Sequence, residues 1–195
     1  NAKRNAGVTC VIVGLRRETT SGKYIYSDVH RTIASNISPY LVDGDNVIVS
    51  KQKTSISGLP EITDGSGALD GGNLILNLNE KNDLIENHPE SDEFIREYVG
   101  SNEFIKGKPR YCLWLTDDNL SSANKIPEIN KRVEATLDFR LNAGTRAKTA
   151  IGRPHKFAWI NLPRQSQIII PTVSSERREY IPMGYLDTSV IVSNS

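Results

Sequence analysis

Short apolar runs, several of them alternating with polar residues, recur along the chain and are typical of β-strands. The run from Gly7 to Leu15 is apolar on both faces and predicts a central strand, and Lys23 to Val29 predicts its hairpin partner. The cluster from Asp43 to Asn46 predicts a tight turn. Further strands are predicted at Val47 to Val49, Asn73 to Leu76, Arg110 to Leu115, Lys156 to Leu162, Gln167 to Val173 and Val190 to Val192.

Helical signals are fewer. One helix is predicted to start at Asn79, and Ser91 can cap a second that runs to Val99, where Gly100 ends it, with a further turn at Asn102 to Ile105. The longest predicted helix follows a cap at Ser121 or Ser122, has Pro127 in its first turn and ends at Gly144. Its core-facing residues repeat every fourth position: Ile129, Val133, Leu137 and Leu141. The pattern predicts an α+β fold with mixed, mainly antiparallel sheets and about three helices packed on them.

The length allows one large domain or two small ones that share a core, and we expect a single domain, residues 1–195. No apolar run is long enough for a membrane span, and no signal peptide is recognisable. Met183 is the only methionine, so we expect an excised part of a longer polypeptide, with Asn1 and Ala2 either native or left from cloning. Cys10 and Cys112 lie in strand-like runs, which favours buried free thiols in a reducing cytoplasm over a disulfide between them.

Charge is divided unevenly along the chain, although the formal net charge is only +1. Residues 140–180 contain eight basic and two acidic residues, a charge of +6, whereas residues 61–100 contain ten acidic and two basic residues, a charge of −8. Apolar runs in the basic half are interleaved with hydroxyl, amide and aromatic side chains. Such a mixture suits a surface that follows a phosphate backbone and reads base edges, and the alternative is a solvated basic face on an ordinary domain.

Catalytic motifs are not recognisable in the sequence. His30, His88 and His155 are not spaced as zinc ligands, and no nucleophile elbow is present. The glycine-rich stretch from Asp64 to Gly72 lacks the ending of a phosphate-binding loop, so it is either a flexible connection or a backbone-amide contact to phosphate. The carboxylates of Asp117 and Asp118 are explained by helix entry. We expect no catalytic residue and no metal site here.

Several phrases together resemble one known family, the MmeI-like (type IIL) restriction–modification proteins. Their single chains join an endonuclease, an N6-adenine methyltransferase and a target-recognition region. The resemblance covers nearly the whole chain, and its most specific phrase is IPTVSSERREYIPMGYL, residues 170–186. The other phrases are NAGVTCVIVGL (5–15), ISPYL (37–41), GS…DGG (65–72), EFI…YVGSNEFI (93–105) and RYCLWL (110–115).

The resemblance implies that this region is the target-recognition domain and that it lies after the methyltransferase core. The catalytic Asn-Pro-Pro-Tyr motif and the S-adenosylmethionine-binding glycines would then lie upstream. S-adenosylmethionine and Mg are expected in the parent chain, and double-stranded DNA and the methyltransferase and nuclease domains of the same polypeptide are the expected partners. In one departure from the family, Gly67 and Ala68 follow Gly65-Ser66 where Lys-Pro is usual, which weakens the expectation of a phosphate contact from that loop.

Candidate DNA-contacting residues follow from strand period and side-chain chemistry. Phe157, Trp159 and Asn161 share one face of the strand predicted at Lys156 to Leu162, where Asn161 could pair with adenine; alternatively Phe157 and Trp159 are core. The base-reading candidates are Trp159, Asn161, Ser175, Glu176 and Arg177. The phosphate candidates are Arg140, Arg146, Lys148, Arg153, Lys156, Arg178 and Ser66.

Each assignment has a structural alternative. Arg132 and Arg140 lie off the apolar stripe of the long helix, where they could face a ligand or be solvated surface residues. Glu176 with Arg177 could form an ion pair that fixes a loop. At the level of the whole chain, the competing function is a protein-docking module. In that case the acidic half packs against the methyltransferase domain of the parent and the basic half is merely solvated.

Overall fold

The computed structural model describes residues 10–27, 29–52, 54–55, 57–59, 61–163, 166–175 and 177–194. The chain divides into two compact units, residues 1–61 and residues 62–195.

The first unit contains one antiparallel hairpin, formed by β1 (Lys23–Ser27) and β2 (His30–Ala34). β1 was predicted as a hairpin strand, but its predicted partner was the run from Gly7 to Leu15, whereas the observed partner is β2. The strand predicted at Gly7 to Leu15 is wrong over residues 10–15. These residues form no strand, and Ile12 is 99% exposed. Residues 7–9 lie outside the described residues. An apolar run becomes a strand only where a neighbour takes its backbone hydrogen bonds, and β1 finds that neighbour across a short turn instead.

The second unit is built on a mixed four-stranded sheet with the strand order β3-β5-β4-β8. β5 pairs antiparallel with both β3 and β4, and β8 pairs parallel with β4. A separate antiparallel hairpin, β6-β7, lies in the same unit. The strands are β3 (Ile75–Leu76), β4 (Ile95–Val99), β5 (Tyr111–Leu113), β6 (Gln167–Ile169), β7 (Gly184–Leu186) and β8 (Ile191–Val192).

Six helices, some of them short, occur among the described residues, so the α+β prediction with mainly antiparallel sheets is confirmed. They are α1 (Leu78–Asn87), a 3-10 helix (Pro89–Phe94), α2 (Ser101–Lys106), α3 (Leu120–Ala123), α4 (Pro127–Asn142) and α5 (Thr145–Lys148). α1 begins with a capping box in which the Asn77 side chain accepts from Glu80 N and the Glu80 carboxylate accepts from Asn77 N. In the described part of the chain, no helix has the length and apolarity to cross a membrane.

The helix predicted from Ser91 to Val99 is present only in its first half, as part of the 3-10 helix Pro89–Phe94, and is wrong in its second half, which is β4. Ile95, Tyr98 and Val99 have helix-like spacing, but they are buried in two different clusters. Tyr98 packs in the main core, whereas Val99 packs with Ile169 and Val190. A strand covered on both sides shows a burial pattern that sequence periodicity cannot distinguish from a helix.

The main core lies between the sheet and helices α1 and α4. Cys112, Leu113 and Ile129 are completely buried in it, and burial raises the pKa of the Cys112 thiol well above its usual range. Cys10, in contrast, is exposed, and both cysteines are free. The predicted stripe on α4 holds at Ile129 and Val133 but not at Leu141, which is 47% exposed. α4 begins after Ile126, not at a serine cap.

The glycine-rich stretch after Asp64 is part of the sheet. Ser66 forms a parallel bridge with Ser193, directly after β8, and Gly67 forms an antiparallel bridge with Trp159. The residues around Gly67 therefore lie between β8 and the segment that carries Trp159. In place of the predicted flexible connection, residues 65–69 form a backbone-bonded extension beyond the edge strand β8, called here the glycine-rich edge.

Arg140, on α4, joins this edge to the core. It is fully buried, and its five N–H groups donate to five backbone carbonyls at 2.8–2.9 Å. The acceptors are the carbonyl oxygens of Ala68, Leu69, Ala150, Arg153 and Lys156. Burial lowers the pKa of the guanidinium, and the nearby Asp70 carboxylate acts in the opposite direction. The group stays charged at neutral pH, because arginine titrates only in strong base.

Replacement of Arg140 by Met should lower the free energy of unfolding by about 3–5 kcal/mol, because the acceptors of five buried or partly buried hydrogen bonds lose their donors. Arg140→Lys should be nearly as damaging, since an ammonium has only three donors and no planar fork. Urea unfolding measures the loss, with Lys148→Met, at an exposed position, as the matched control. A loss for Arg140→Met as small as that of the control would contradict the structural role.

Candidate nucleic-acid interface

The basic residues of the stretch 140–178 differ in whether their donors are already occupied. Arg140 is the extreme case, since every donor is bound inside the protein and none of the side chain is accessible. This corrects its prediction as a phosphate contact and also the alternative of a solvated surface residue. Arg132, the second residue of α4 predicted either to face a ligand or to be solvated, forms an ion pair with Glu80 at 2.7 Å.

Lys156 is paired with a carboxylate. Its ammonium donates to Asp117, whose other carboxylate oxygen lies 3.0 Å from Nε2 of the buried His155. These hydrogen bonds, first from Lys156 and then from His155, lower the pKa of the Asp117 carboxyl, so this acid stays ionised at neutral pH. The predicted phosphate role of Lys156 is weakened, because a phosphate would have to compete with the carboxylate already in place.

Arg146, Lys148 and Arg153 lie near each other in sequence and are all exposed. One Nη of Arg153 donates to Ala158 O at 2.6 Å, so its fork is partly occupied. The side chains of Arg146 and Lys148, both on α5, have no hydrogen-bonded acceptor and no carboxylate partner among the described residues. Their charge is therefore available to a ligand, and their phosphate roles stay predictions.

Trp159 is half-buried, not presented on an open strand face. Its indole N–H donates to Gly65 O at 3.0 Å, and the guanidinium carbon of Arg146 lies 4.4 Å from the ring centroid. Gly67 approaches the ring so closely that a Cβ at this position would be 2.0 Å from Trp159 Cζ2. The ring is thus held by the backbone of the glycine-rich edge and covered in part by an arginine.

The strand predicted at Lys156 to Leu162 is reduced to the single bridge at Trp159. Phe157 is core, as the alternative had it, and makes edge contacts with Tyr98 and Trp114 at centroid distances of 5.4 and 5.2 Å. Ala158 is also buried, so the two-residue alternation fails here. A strand face was therefore the wrong basis for grouping these side chains.

Asn161 remains on the surface, at the end of this segment. Its backbone N–H donates to Ser66 Oγ at 2.9 Å, and its side-chain Nδ2 donates to Asp64 O at 2.8 Å. The second N–H of Nδ2 and the carbonyl Oδ1 have no partner among the described residues. A rigidly held amide with one donor and one acceptor free can still make a two-point contact.

Ser66 is completely buried, which corrects its prediction as a phosphate contact. Its Oγ donates to Asn161 O at 3.1 Å, and its own carbonyl accepts from the Tyr98 hydroxyl at 3.0 Å. The hydroxyl therefore joins two neighbouring backbone segments and is not directed to solvent. Its importance for the surface is indirect, because it fixes the backbone of Asn161.

Ser175, Arg177 and Arg178 are exposed in the long connection between β6 and β7. Ser175 Oγ accepts from Arg177 N at 3.3 Å and Ser175 O accepts from Arg178 N at 3.0 Å, a local turn that places both arginines on the surface. Glu176 lies outside the described residues, so its pairing with Arg177 stays a prediction. The roles of Ser175, Arg177 and Arg178 on DNA also stay predictions.

Two features were missed by sequence reasoning. The first is the contact between Arg146 and Trp159, which are 13 positions apart and belong to different elements. The second is an apolar outer face on the β6-β7 hairpin, where the paired residues Ile168 and Tyr185 are 53% and 79% exposed. Alternation within both short strands could have indicated this face. No group of His, Cys, Asp or Glu suited to a metal ion occurs in the described part of the chain.

Comparison with known proteins gives three consistent matches. A family model described as MmeI, target recognition domain, matches residues 43–195. DNA methyltransferase A of Bacillus subtilis (strain 168) is 38% identical over 196 residues, a match that covers 100% of this chain and 22% of that protein. A solved structure of the Type IIL restriction-modification enzyme MmeI in complex with DNA is 35% identical, with a TM-score of 0.83 over 91% of this chain and 25% of that one. The chain thus spans no more than 25% of the length of either protein.

Gly67→Ala should displace the Trp159 ring, because the new methyl group would overlap it, and should destabilise the chain by about 1–3 kcal/mol. The displacement is measured by tryptophan fluorescence in a Trp114→Phe background, so that Trp159 is the reporter. Gly152→Ala is the matched control, since a Cβ there would meet nothing within 4 Å. Unchanged emission and stability in Gly67→Ala would contradict the close contact.

Proposed function

Because the chain belongs to the MmeI target recognition domain family, we propose that it recognises a specific sequence of double-stranded DNA. The solved MmeI structure, which contains DNA, is the observation that carries the proposal, since its likeness to this chain extends over nearly the whole length at 35% identity. The earlier prediction that residues 1–195 act together as one recognition domain is kept as part of this proposal.

We propose further that the recognition domain directs enzymatic domains of the same, longer polypeptide to a DNA site. A relationship to DNA methyltransferase A and to MmeI supports an enzyme as the parent. The finer proposal is an S-adenosylmethionine-dependent N6-adenine methyltransferase with a linked, Mg-dependent endonuclease in the bacterial cytoplasm. This chain would contribute target choice and no catalytic group.

The surface of the second unit supports DNA binding through its unpaired cations. Arg146 and Lys148 have no acid partner among the described residues, so a phosphate can bind them without displacing a carboxylate. Arg153, close to them in sequence, keeps part of its guanidinium free. Neutralisation of phosphates by such side chains releases counterions and provides affinity for any sequence.

Asn161 is the best-supported candidate for reading a base. An amide can donate to adenine N7 and accept from adenine N6, and the free N–H and Oδ1 of Asn161 retain that pair of functions. The bond from Nδ2 to Asp64 O limits side-chain rotation in advance, which lowers the entropic cost of binding. Arg177, exposed in the β6-β7 connection, is the corresponding candidate for guanine.

A docking function is the second candidate, and the β6-β7 hairpin favours it. Ile168 and Tyr185, and next to them Ile170 and Met183, are large apolar side chains that remain at least 40% exposed. Such an apolar face suits contact with another domain of the same polypeptide. The two functions are compatible, since Arg146, Lys148 and Asn161 do not belong to this hairpin.

Binding of the intact polypeptide to duplex DNA should weaken steeply as salt is raised, because several phosphates are neutralised in the complex. Titration of fluorescent duplexes between low and high salt measures the slope of log affinity against log salt. Lys148→Ala should reduce that slope by about one for every sequence, as expected when one phosphate contact is lost. If the intact polypeptide binds no duplex even at low salt, the docking function is favoured instead.

Selection of bound duplexes from a random library by the intact polypeptide should enrich one short motif. Asn161→Ala or Arg177→Ala should blur that motif at a single position and weaken cognate binding by about 1–3 kcal/mol. Lys148→Ala is the control, which should lower affinity without a change in motif. If the wild-type polypeptide enriches no motif, the proposed function is wrong; if both variants keep the motif unchanged, only these base-reading assignments are wrong.

A further inference from the structure

The contact between Arg146 and Trp159 differs from the other arginine contacts in this part of the chain. Arg140 and Arg153 donate to backbone carbonyls, whereas the Arg146 guanidinium lies over a ring, 4.4 Å from its centroid, and donates to no described residue. A cation over an aromatic ring makes no hydrogen bond to it through its N–H groups, which stay available to acceptors. The Arg146 guanidinium can therefore bind a ligand while it stays over the Trp159 ring.

Trp159 is itself held by residues distant in sequence. Its indole N–H is bound to Gly65 O at 3.0 Å, and its ring lies against Gly67. The intervening Ser66 is fully buried and bonded to Asn161 on one side and to the β8 segment, through Val192 O, on the other. The position of the Trp159 ring is therefore set by the backbone of residues 65–67, which is itself hydrogen-bonded to the β8 segment.

These contacts leave Trp159 poorly suited to read a base directly. Its single polar hydrogen is already bonded, and Gly67 and Arg146 both cover parts of the ring. What remains is a rigid surface on which one arginine rests. Restricting a long, flexible side chain before binding reduces the entropy lost when the complex forms.

We propose that Trp159 is a positioning residue which acts on DNA through Arg146. It holds the guanidinium so that its edge meets a pair of acceptor atoms on the duplex, either the oxygens of a phosphodiester or O6 and N7 of guanine. Both sources offer the same two-acceptor chemistry, which a guanidinium fork matches. This inference rests on the proposed function, because it assigns a role within DNA binding.

A double-mutant cycle on the intact polypeptide tests the inference. Arg146→Ala, Trp159→Leu and the double variant are compared for affinity to the selected duplex and to an unrelated duplex across salt concentrations. Trp159→Leu should weaken binding about two- to five-fold in the wild-type background and have no further effect once Arg146 is alanine. Trp159→Phe should retain most of the affinity, because it keeps an aromatic face.

Controls separate positioning from stability. Lys148→Ala, on the same short helix, should weaken binding equally whether residue 159 is Trp or Leu. Arg146→Lys keeps the charge but not the planar group, so its loss of affinity should resemble that of Trp159→Leu. Unfolding midpoints of each variant identify any effect that reflects folding, and if Trp159→Leu fails to fold, Trp159→Phe and Arg146→Lys complete the comparison.

The salt slopes of Arg146→Ala and the additivity of the two substitutions identify the acceptor pair and test the positioning role. A reduced salt slope for Arg146→Ala with both duplexes identifies a phosphate as the acceptor pair, and a loss confined to the selected duplex identifies guanine. Additive effects of Arg146→Ala and Trp159→Leu, or no effect of either, overturn the positioning role while DNA recognition stands. If the wild-type polypeptide binds no duplex, the proposed function fails, and this inference fails with it.

Discussion

The five hydrogen bonds of Arg140 are the constraint on which the second unit depends. A buried cation is costly unless every donor is matched, and this guanidinium reaches carbonyls from the glycine-rich edge and from the segment that follows α5. Both segments lack enough regular structure to hold themselves in place. The long helix α4 positions them through one side chain, and with them Arg146, Trp159 and Asn161.

The candidate interface is better defined by which basic side chains have free N–H donors than by the formal charge of the stretch. The basic stretch has a formal charge of +6, but Arg140 serves the interior and Lys156 is matched by Asp117. Arg146 and Lys148, which have no carboxylate partner among the described residues, lie on α5, close in sequence to α4. A ligand interacts with the charges that stay accessible. The positions of the unpaired basic side chains, and not the formal charge of the stretch, therefore indicate where a phosphate backbone can bind.

Prediction succeeded where local signals agreed with the final packing. β5 was predicted from its short apolar run, and α4 from its apolar stripe and from Pro127 in its first turn. Apolar residues of both elements pack in the main core, so the local signal and the packing agree. The strand prediction for residues 10–15 was wrong because an apolar run does not specify a hydrogen-bonding partner. The strand prediction for Lys156 to Leu162 was wrong because the consecutive residues Phe157 and Ala158 are both buried, a pattern that a two-residue period does not describe.

By itself, the sequence determined the α+β class, the unequal distribution of charge and the family resemblance, since each depends on residue types and their order. Only the tertiary structure decided which basic side chains are available. Arg140 and Arg146 are six positions apart and identical in chemistry, yet one is enclosed by carbonyls and the other rests on an indole. The difference comes from contacts with residues 65–69 and 159, which lie far along the chain or on another element, and local sequence does not encode such neighbours.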